Sequence, residues 1–298
     1  MPTTLLLGER RFDITTRTLV MGILNRTPDS FYDRGETFEL DRLVDRAGCL
    51  VEEGADILDV GGVKAGPGPE VSEAEELDRV IPAISALHER FDLPLSIDTW
   101  RASVLEESCR EGAVIGNDIS GFADPDYLDT AVRHGASVVA THIRLQPRVP
   151  DPDPHYDDLV GEVAAFLTDR ARSATTAGLK PEQIMLDAGL DLGKTPAQSA
   201  VLLREHAAFA TLGHPVFLSA SNKRFLGDLL DLELEDRRDA SLACVAYGIH
   251  RGCRIVRVHD VRGSVRVARM TETLIETALE SGVGDSTIPG GTTGGTIL

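Results

Sequence analysis

Eight short apolar runs rich in β-branched residues recur along the chain, and each is followed by a longer segment with helical spacing. The runs begin at Thr18, Ala55, Pro94, Val114, Ser137, Gln183, Pro215 and Ile255. The segments between them are too long for hairpins, so the strands should pair in parallel through right-handed crossovers. Eight such units in about 260 residues predict an α/β (β/α)8 TIM barrel. A doubly wound open sheet is disfavoured because MGILNRTPDSF, after the first strand, lacks the glycine-rich phosphate turn.

The ends of the chain fall outside this repeat. Residues 1–17 contain the alternating segment RRFDITTR and are expected to form a hairpin that closes the bottom of the barrel. The barrel itself is expected to span residues 18–282. Residues 283–298 are rich in glycine and threonine, which predicts a flexible tail.

Charge and composition exclude several classes of protein. The 30 Lys+Arg and 48 Asp+Glu give a net charge of −18, which argues against a nucleic-acid partner. No stretch approaches eighteen consecutive apolar residues, and no basic segment precedes the apolar run near the start, so we expect no membrane association and a cytoplasmic location. The four cysteines lie far apart without a CxxC pair, and they are expected to be reduced and buried.

Every one of the eight runs ends in polar side chains. The carboxyl ends of barrel strands meet at one mouth, so these side chains should converge there. A buried carboxylate without a partner is costly, so the set either binds a polar ligand or forms a ring of mutually satisfied salt bridges. The residues are Asn25, Asp59, Asp98, Asn117, Asp118, His142, Asp187, Ser221, Lys223, Arg257, His259 and Asp260.

The set divides by chemistry into two halves. One half supplies acceptors, a carboxamide and a cation, which suits the edge of a flat heterocycle; it consists of Asp98, Asn117, Asp187 and Lys223. The other half, Asn25, Arg257 and His259, supplies a metal-competent oxygen and two donors, which suits a pyrophosphate with Mg²⁺.

Arg257 and His259 are two residues apart and therefore lie on the same side of their strand. Facing inward, they would reach the mouth. The strand alone also allows the opposite orientation, with Val256 and Val258 inside the barrel.

Seven segments together resemble the dihydropteroate synthase family. They are, in order, MGILNRTPDSF, GADILDVGG, SIDT, NDIS, LDAGLDLGKT, SASNKRFLG and RVHDV, and they span Thr18 to Val261. The resemblance implies a homodimeric barrel that joins 6-hydroxymethyl-7,8-dihydropterin pyrophosphate to p-aminobenzoate in folate biosynthesis, with Mg²⁺, releasing pyrophosphate.

The resemblance also implies roles for individual residues. It places the pterin on Asp98, Asn117, Asp187 and Lys223, Mg²⁺ and pyrophosphate on Asn25, the phosphates on Arg257 and His259, and the second substrate near Pro67 and Ser221. The implied catalytic set is Asp98, Asp187, Lys223, Arg257 and His259. Within it the two aspartates would favour a cationic pterin, while Mg²⁺ and the donors would stabilise the leaving anion.

The second loop departs from the family pattern. Members usually read GGESTRPG where this chain has GGVKAGPG, so Ala65 replaces the threonine, Gly66 replaces the arginine and Pro67 is retained. An arginine donating to a buried phosphate contributes roughly 1.5 to 3 kcal/mol per charge-assisted bond, so standard activity is expected to be weak or lost. Lys64 and Arg34 are candidate replacements for the missing charge.

Other segments also differ from the family pattern, at positions that the resemblance places near the second substrate and in the loops that close over the site. The altered positions are Arg26, Tyr32 and Arg34 in the first loop, Ala188, Asp191 and Leu192 after the sixth strand, and Asn222 after the seventh. The pattern admits three hypotheses: a synthase that uses p-aminobenzoate poorly or takes another amine, a catalytically silent homologue that binds a pterin or a partner protein, and a pterin-dependent methyltransferase. The third is disfavoured because methyltransferase barrels do not usually keep TPDSF.

Overall fold

A computed structural model describes residues 3–26, 39–66 and 68–281 of the chain. Its strands are β1 Thr4–Leu7, β2 Arg10–Asp13, β3 Leu19–Asn25, β4 Ile57–Gly61, β5 Leu95–Asp98, β6 Ala113–Asp118, β7 Ser137–Thr141, β8 Ile184–Asp187, β9 Val216–Leu218 and β10 Cys253–Val258. Its α-helices are α1 Leu40–Glu52, α2 Glu73–Arg90, α3 Ala102–Arg110, α4 Tyr127–His134, α5 Leu159–Ala177, α6 Pro196–Arg204, α7 Ala207–Ala210, α8 Arg224–Leu230, α9 Arg238–His250 and α10 Val261–Ser281. Short 3₁₀ helices occupy Pro181–Gln183 and Leu234–Asp236.

Strands β3 to β10 form a closed barrel in sequence order, and β10 pairs with β3 to close it. Every pair of neighbours is parallel. The predicted TIM barrel is therefore confirmed. Each barrel strand corresponds to one of the eight apolar runs.

The first two strands close the bottom of the barrel, as the sequence predicts. They form an antiparallel hairpin, and Leu5 and Leu7 of β1 are almost fully buried. These two side chains share a core cluster with inward residues of the barrel such as Met21, Met185 and Phe217. The hairpin thus fills the end of the barrel opposite the mouth.

The orientation of β10 is fixed by where its apolar residues pack. Ile255 belongs to the cluster inside the barrel, whereas Val256 and Val258 belong to the core between the strands and the helices. Because side chains alternate along a strand, Arg257 faces the interior. The alternative orientation, with the two valines inside, is wrong.

The prediction for the cysteines is only partly correct. All four are free, and Cys244 and Cys253 are buried. Cys109 is half-buried and Cys49 is exposed, because Cys49 lies on the solvent side of α1.

No helix in the described ranges is long and apolar enough to cross a membrane. The predicted tail, residues 283–298, lies outside the described residues.

Candidate functional site

Strand register brings members of both halves of the polar set into a row at the mouth. Asn25 lies beside Gly61, Gly61 beside Asp98, and Asp98 beside Asn117, on four adjacent strands. A Cβ atom at Gly61 would sit 3.7 Å from Asn25 Oδ1 and 3.8 Å from Asp98 Oδ2. The absence of a side chain at Gly61 leaves a gap that both oxygens face.

Arg257 joins this row from β10, which lies next to β3 in the closed barrel. Its Nε donates to Asp59 Oδ2 at 2.6 Å, and its Nη2 donates to Asp98 Oδ2 at 2.7 Å. Asp59 is fully buried, and its other oxygen, Oδ1, has no hydrogen-bond partner among the described residues. The salt-bridge interpretation therefore holds for these three residues, which reach one another only because the barrel closes.

Burial shifts the pKa values of Asp98, Asp187 and Lys223 towards their neutral forms, whereas the pKa of Arg257 is raised by the charges of Asp59 and Asp98. Burial raises the pKa of Asp98 to about 7; the charge of Arg257 opposes that rise, and the carboxylate of Asp59 adds to it. Burial likewise raises the pKa of Asp187 and lowers the pKa of Lys223, although the two groups attract each other. A ligand that hydrogen-bonds to these groups can supply the interactions that water would otherwise provide.

Asp187, Lys223 and Asn117 complete the predicted heterocycle site. Asp187 Oδ1 accepts a hydrogen bond from the Gly189 N–H at 2.8 Å, while Lys223 Nζ donates to the Leu190 carbonyl at 2.6 Å. Asn117 is 3% exposed, yet its carboxamide makes no hydrogen bond within the described part of the chain. A buried amide of this kind needs a partner, and a bound ligand can provide one.

His259 and Ser221 are brought together at the ends of β10 and β9. Ser221 Oγ lies 3.0 Å from His259 Nδ1 and accepts a hydrogen bond from the His259 main-chain N–H at 3.2 Å. The structure therefore links a residue expected at the phosphates to one expected in the second-substrate pocket. Pro67, the other residue expected in that pocket, lies outside the described residues.

Comparison with known proteins places this arrangement in a family. A family described as pterin binding enzyme matches residues 21–259. The dihydropteroate synthase of Bacillus subtilis is 40% identical over 261 residues, which is 87% of this chain and 89% of the relative. The chain belongs to the dihydropteroate synthase family.

Two further comparisons extend this result. The crystal structure of a Yersinia pestis dihydropteroate synthase in a sulfonamide drug complex has a TM-score of 0.87 at 36% identity, covering 92% of this chain and 99% of that one. A Mycobacterium leprae protein named inactive dihydropteroate synthase 2 is 39% identical over 264 residues, covering 87% of this chain and 91% of that relative. The chain is thus about as similar to a relative named as inactive as it is to relatives named as dihydropteroate synthases.

Two of the polar strand ends serve the fold. The Asp118 carboxylate accepts from the main-chain N–H of Ser120 at 2.5 Å and of Phe122 at 2.7 Å, and it holds Phe122 at a left-handed φ of 64°. His142 Nδ1 lies 2.8 Å from Lys194 Nζ, and burial lowers the pKa of His142 to about 3. These contacts explain both residues without a ligand.

The altered signature residues are anchored to neighbouring elements. Asp191 stands where the family has glycine and keeps a left-handed φ of 68°; its carboxylate accepts from the Phe225 N–H at 3.2 Å. Asn222, in place of arginine, has φ of 56°, and its Oδ1 accepts from Ser241 Oγ at 3.2 Å. Asparagine and aspartate tolerate this backbone conformation better than other non-glycine residues, so local geometry accounts for both departures.

A second cavity of about 590 Å³ lies beside the mouth. Its walls come from the second loop, the segment 143–154, the segment 191–196 and the start of α8. Arg148 and Lys194 line it, and sequence reasoning assigned neither of them to a site. The available signal was a cation inside the proline-rich segment QPRVPDPDP and the scarcity of lysine in the chain.

Arg34 and Tyr32 lie outside the described residues. Arg26 is described, and its guanidinium donates to the Arg79 carbonyl on α2. At least one of the basic side chains that distinguish the first loop, that of Arg26, therefore contacts α2.

Proposed function

We propose that the chain binds 6-hydroxymethyl-7,8-dihydropterin pyrophosphate in the barrel mouth and condenses it with p-aminobenzoate. The observation that supports this most is the position of four polar side chains at or just beyond the mouth ends of the barrel strands, in a chain of the dihydropteroate synthase family. The four are Asp98, Asn117, Asp187 and Lys223. The proposal includes the cytoplasmic location and the homodimer expected from the sequence.

The chemistry of the pterin edge matches these side chains. Its amino and ring N–H groups can donate to Asp98 and Asp187, while its carbonyl can accept from Lys223 or from the Asn117 amide. As the methylene C–O bond breaks, its electron pair leaves with pyrophosphate. The nitrogen of p-aminobenzoate then forms the C–N bond and loses a proton. Carboxylates beside the ring stabilise the positive charge that develops on the pterin.

The pyrophosphate half of the proposal rests on Asn25, Arg257 and His259. Arg257 Nη1 makes no hydrogen bond to a described residue, so this end of the guanidinium is available to a phosphate while Nε and Nη2 hold the aspartates. The Asn25 oxygen faces the gap at Gly61 and is a hard donor of the type Mg²⁺ prefers. When bound, Mg²⁺ would neutralise charge on the leaving pyrophosphate.

Weak turnover is part of the proposal. Ala65 and Gly66 place neither a hydroxyl nor a guanidinium on the second loop. The loss should fall on the transition state, because the pterin-binding residues are retained.

A steady-state assay with the pterin pyrophosphate and p-aminobenzoate tests this function. The chain should make dihydropteroate at least about a hundredfold more slowly than a family member with the intact loop, a deficit of roughly 2.7 kcal/mol. Pterin binding measured by calorimetry serves as the control. Failure to bind a dihydropterin would contradict the proposal, and turnover equal to that of the intact-loop enzyme would contradict its weak-activity part.

A second candidate function is a catalytically silent homologue that binds a pterin in a non-folate or partner-binding role. The relative named inactive dihydropteroate synthase 2 favours it. The same assay separates the two: pterin binding without detectable product supports the silent homologue.

A further inference from the structure

The carboxylates in the wall of the second cavity already have partners. Asp151 receives two hydrogen bonds from Arg144, at 2.5 and 2.9 Å. Asp228 pairs with Arg224 at 3.0 Å, and the Asp191 carboxylate accepts hydrogen bonds from the Phe225 main-chain N–H and from Ser199 Oγ. Their negative charges are therefore compensated locally.

Arg148 has no such compensation. Its guanidinium donates to the Pro69 carbonyl and pairs with no carboxylate among the described residues. Its main-chain N–H donates to the Ala65 carbonyl at 3.3 Å, and its backbone has a left-handed φ of 67°. Contacts with the second loop thus hold a strained, half-buried arginine at the cavity, and no carboxylate of the described residues neutralises its positive charge.

Lys194 adds to the positive character of this wall. Its Nζ lies 2.9 Å from the Leu192 carbonyl and 2.8 Å from His142 Nδ1. Burial lowers the pKa of Lys194 to about 7, so near neutral pH the group carries part of a charge.

The rest of the wall is mainly apolar. It includes Ile143, Leu145, Val149, Pro150 and Leu192. Apolar walls beside one unpaired cation suit an aromatic body with an anionic end, whereas a pyrophosphate would gain nothing from them.

The cavity adjoins the proposed pterin site. The loop that carries Asp191 and Leu192 also provides the Leu190 carbonyl, which accepts from Lys223. Arg224, directly after Lys223, lines the same cavity. A molecule in the cavity would therefore lie next to the residues that hold the pterin.

We propose that Arg148 is a specificity-determining residue that binds the carboxylate of an aromatic amine in this cavity. The inference rests on the proposed function, because it identifies the cavity as the place of the second substrate. Arg148 selects an anionic amine over a neutral one of the same shape.

The test is calorimetric titration with p-aminobenzoate and with its neutral analogue p-aminobenzamide. Each is titrated with and without dihydropterin and pyrophosphate, so that a failure of pterin binding is read separately. The wild-type chain should bind the benzoate about tenfold or more tightly than the amide, as expected for one charge-assisted contact. In Arg148→Ala the two affinities should become equal within about threefold.

Three variants control for folding and for nonspecific charge. Arg148→Gln keeps a donor for the Pro69 carbonyl without the charge and should lose the preference; Arg148→Lys should keep part of it. Arg172→Ala removes an exposed arginine from α5 and should change nothing. A benzoate preference that survives in Arg148→Gln overturns the proposal. So does a wild-type chain without the preference, or a loss of pyrophosphate affinity in place of benzoate affinity.

Discussion

Arg257 Nε donates to Asp59 Oδ2 at 2.6 Å at the mouth of the barrel, where Asp59 is fully buried. The same guanidinium holds Asp98 at 2.7 Å. Arg257 therefore connects Asp98, which is predicted to bind the pterin, with the buried Asp59. It fixes the position of one acid and opposes the rise in the pKa of the other.

Replacing Asp59 with asparagine should destabilise the fold. Asp59→Asn leaves a buried guanidinium with one anionic partner in place of two, and the free energy of unfolding should fall by about 1 to 3 kcal/mol. Urea unfolding measures the change. The control is Asp92→Asn, which breaks the exposed pair with Arg10 and should cost less than about 1 kcal/mol. Equal effects of the two substitutions would contradict a structural role for the buried pair.

Pterin affinity should depend on pH through Asp98. The free protein holds this carboxyl protonated below pH 7, because its pKa is raised to about 7. A pterin that donates N–H groups needs the ionised form, so affinity should fall as pH drops below 7, by up to about tenfold per pH unit, and level off above pH 8. Calorimetry with an analogue that does not titrate between pH 5.5 and 8 measures this. Asp98→Asn should bind the analogue weakly, and its affinity should not change with pH in this way. If the affinity of the wild-type chain did not change between pH 5.5 and 8, the assignment of Asp98 would be refuted.

Asp187 should contribute directly to pterin binding. Asp187→Ala removes a buried hydrogen-bond acceptor. The binding free energy of a dihydropterin should therefore become less favourable by more than about 1 kcal/mol, the scale for hydrogen bonds to a buried carboxylate. The matched control is Asp228→Ala, because Asp228 pairs with Arg224 on α8 outside the predicted pterin set. Equal pterin affinity in wild type and Asp187→Ala would remove Asp187 from the site.

The strand ends were predictable because period and topology place them. Parallel strands in sequence order put Asn25, Asp98 and Asn117 at one rim, and alternation along each strand turns them inward. The hairpin that fills the barrel bottom follows from the same alternation.

The contacts of Arg257 and Arg148 were not predictable, because each joins distant segments. Arg257 is 198 residues from Asp59 and reaches it only after β10 closes the barrel against β3. Arg148 meets Pro69 across 79 residues through the conformations of two irregular loops. No local pattern encodes such a contact, and the left-handed backbone of Asp191, with φ of 68°, was likewise not readable from the sequence alone.

Pyrophosphate binding should require a divalent ion. At the proposed pyrophosphate site Asn25 can offer only a neutral oxygen, and Arg257 is shared with two aspartates, so the protein alone would balance little of the ligand's charge. Pyrophosphate affinity measured by calorimetry should fall when a chelator replaces Mg²⁺. Asn25→Ala should show a smaller difference between the two conditions. Affinity that is unchanged by the chelator would contradict the assignment of Asn25.

Restoring the second loop should recover part of the turnover that we expect to be missing. A Cβ atom at Gly66 meets nothing within 4 Å, so the backbone at this position admits a side chain, and Gly66→Arg with Ala65→Thr restores the family residues. The new guanidinium can donate to the leaving pyrophosphate, a contact worth roughly 1.5 to 3 kcal/mol, so kcat/KM should rise about tenfold to a hundredfold while pterin affinity stays the same. Gly66→Gln with Ala65→Thr is the matched control, because it adds bulk and a hydrogen-bond donor but no charge, and it should recover little. Steady-state assays on the three proteins decide the matter: ordinary turnover by the unmodified chain, or equal recovery by the arginine and glutamine variants, would show that the missing loop charge does not limit this enzyme.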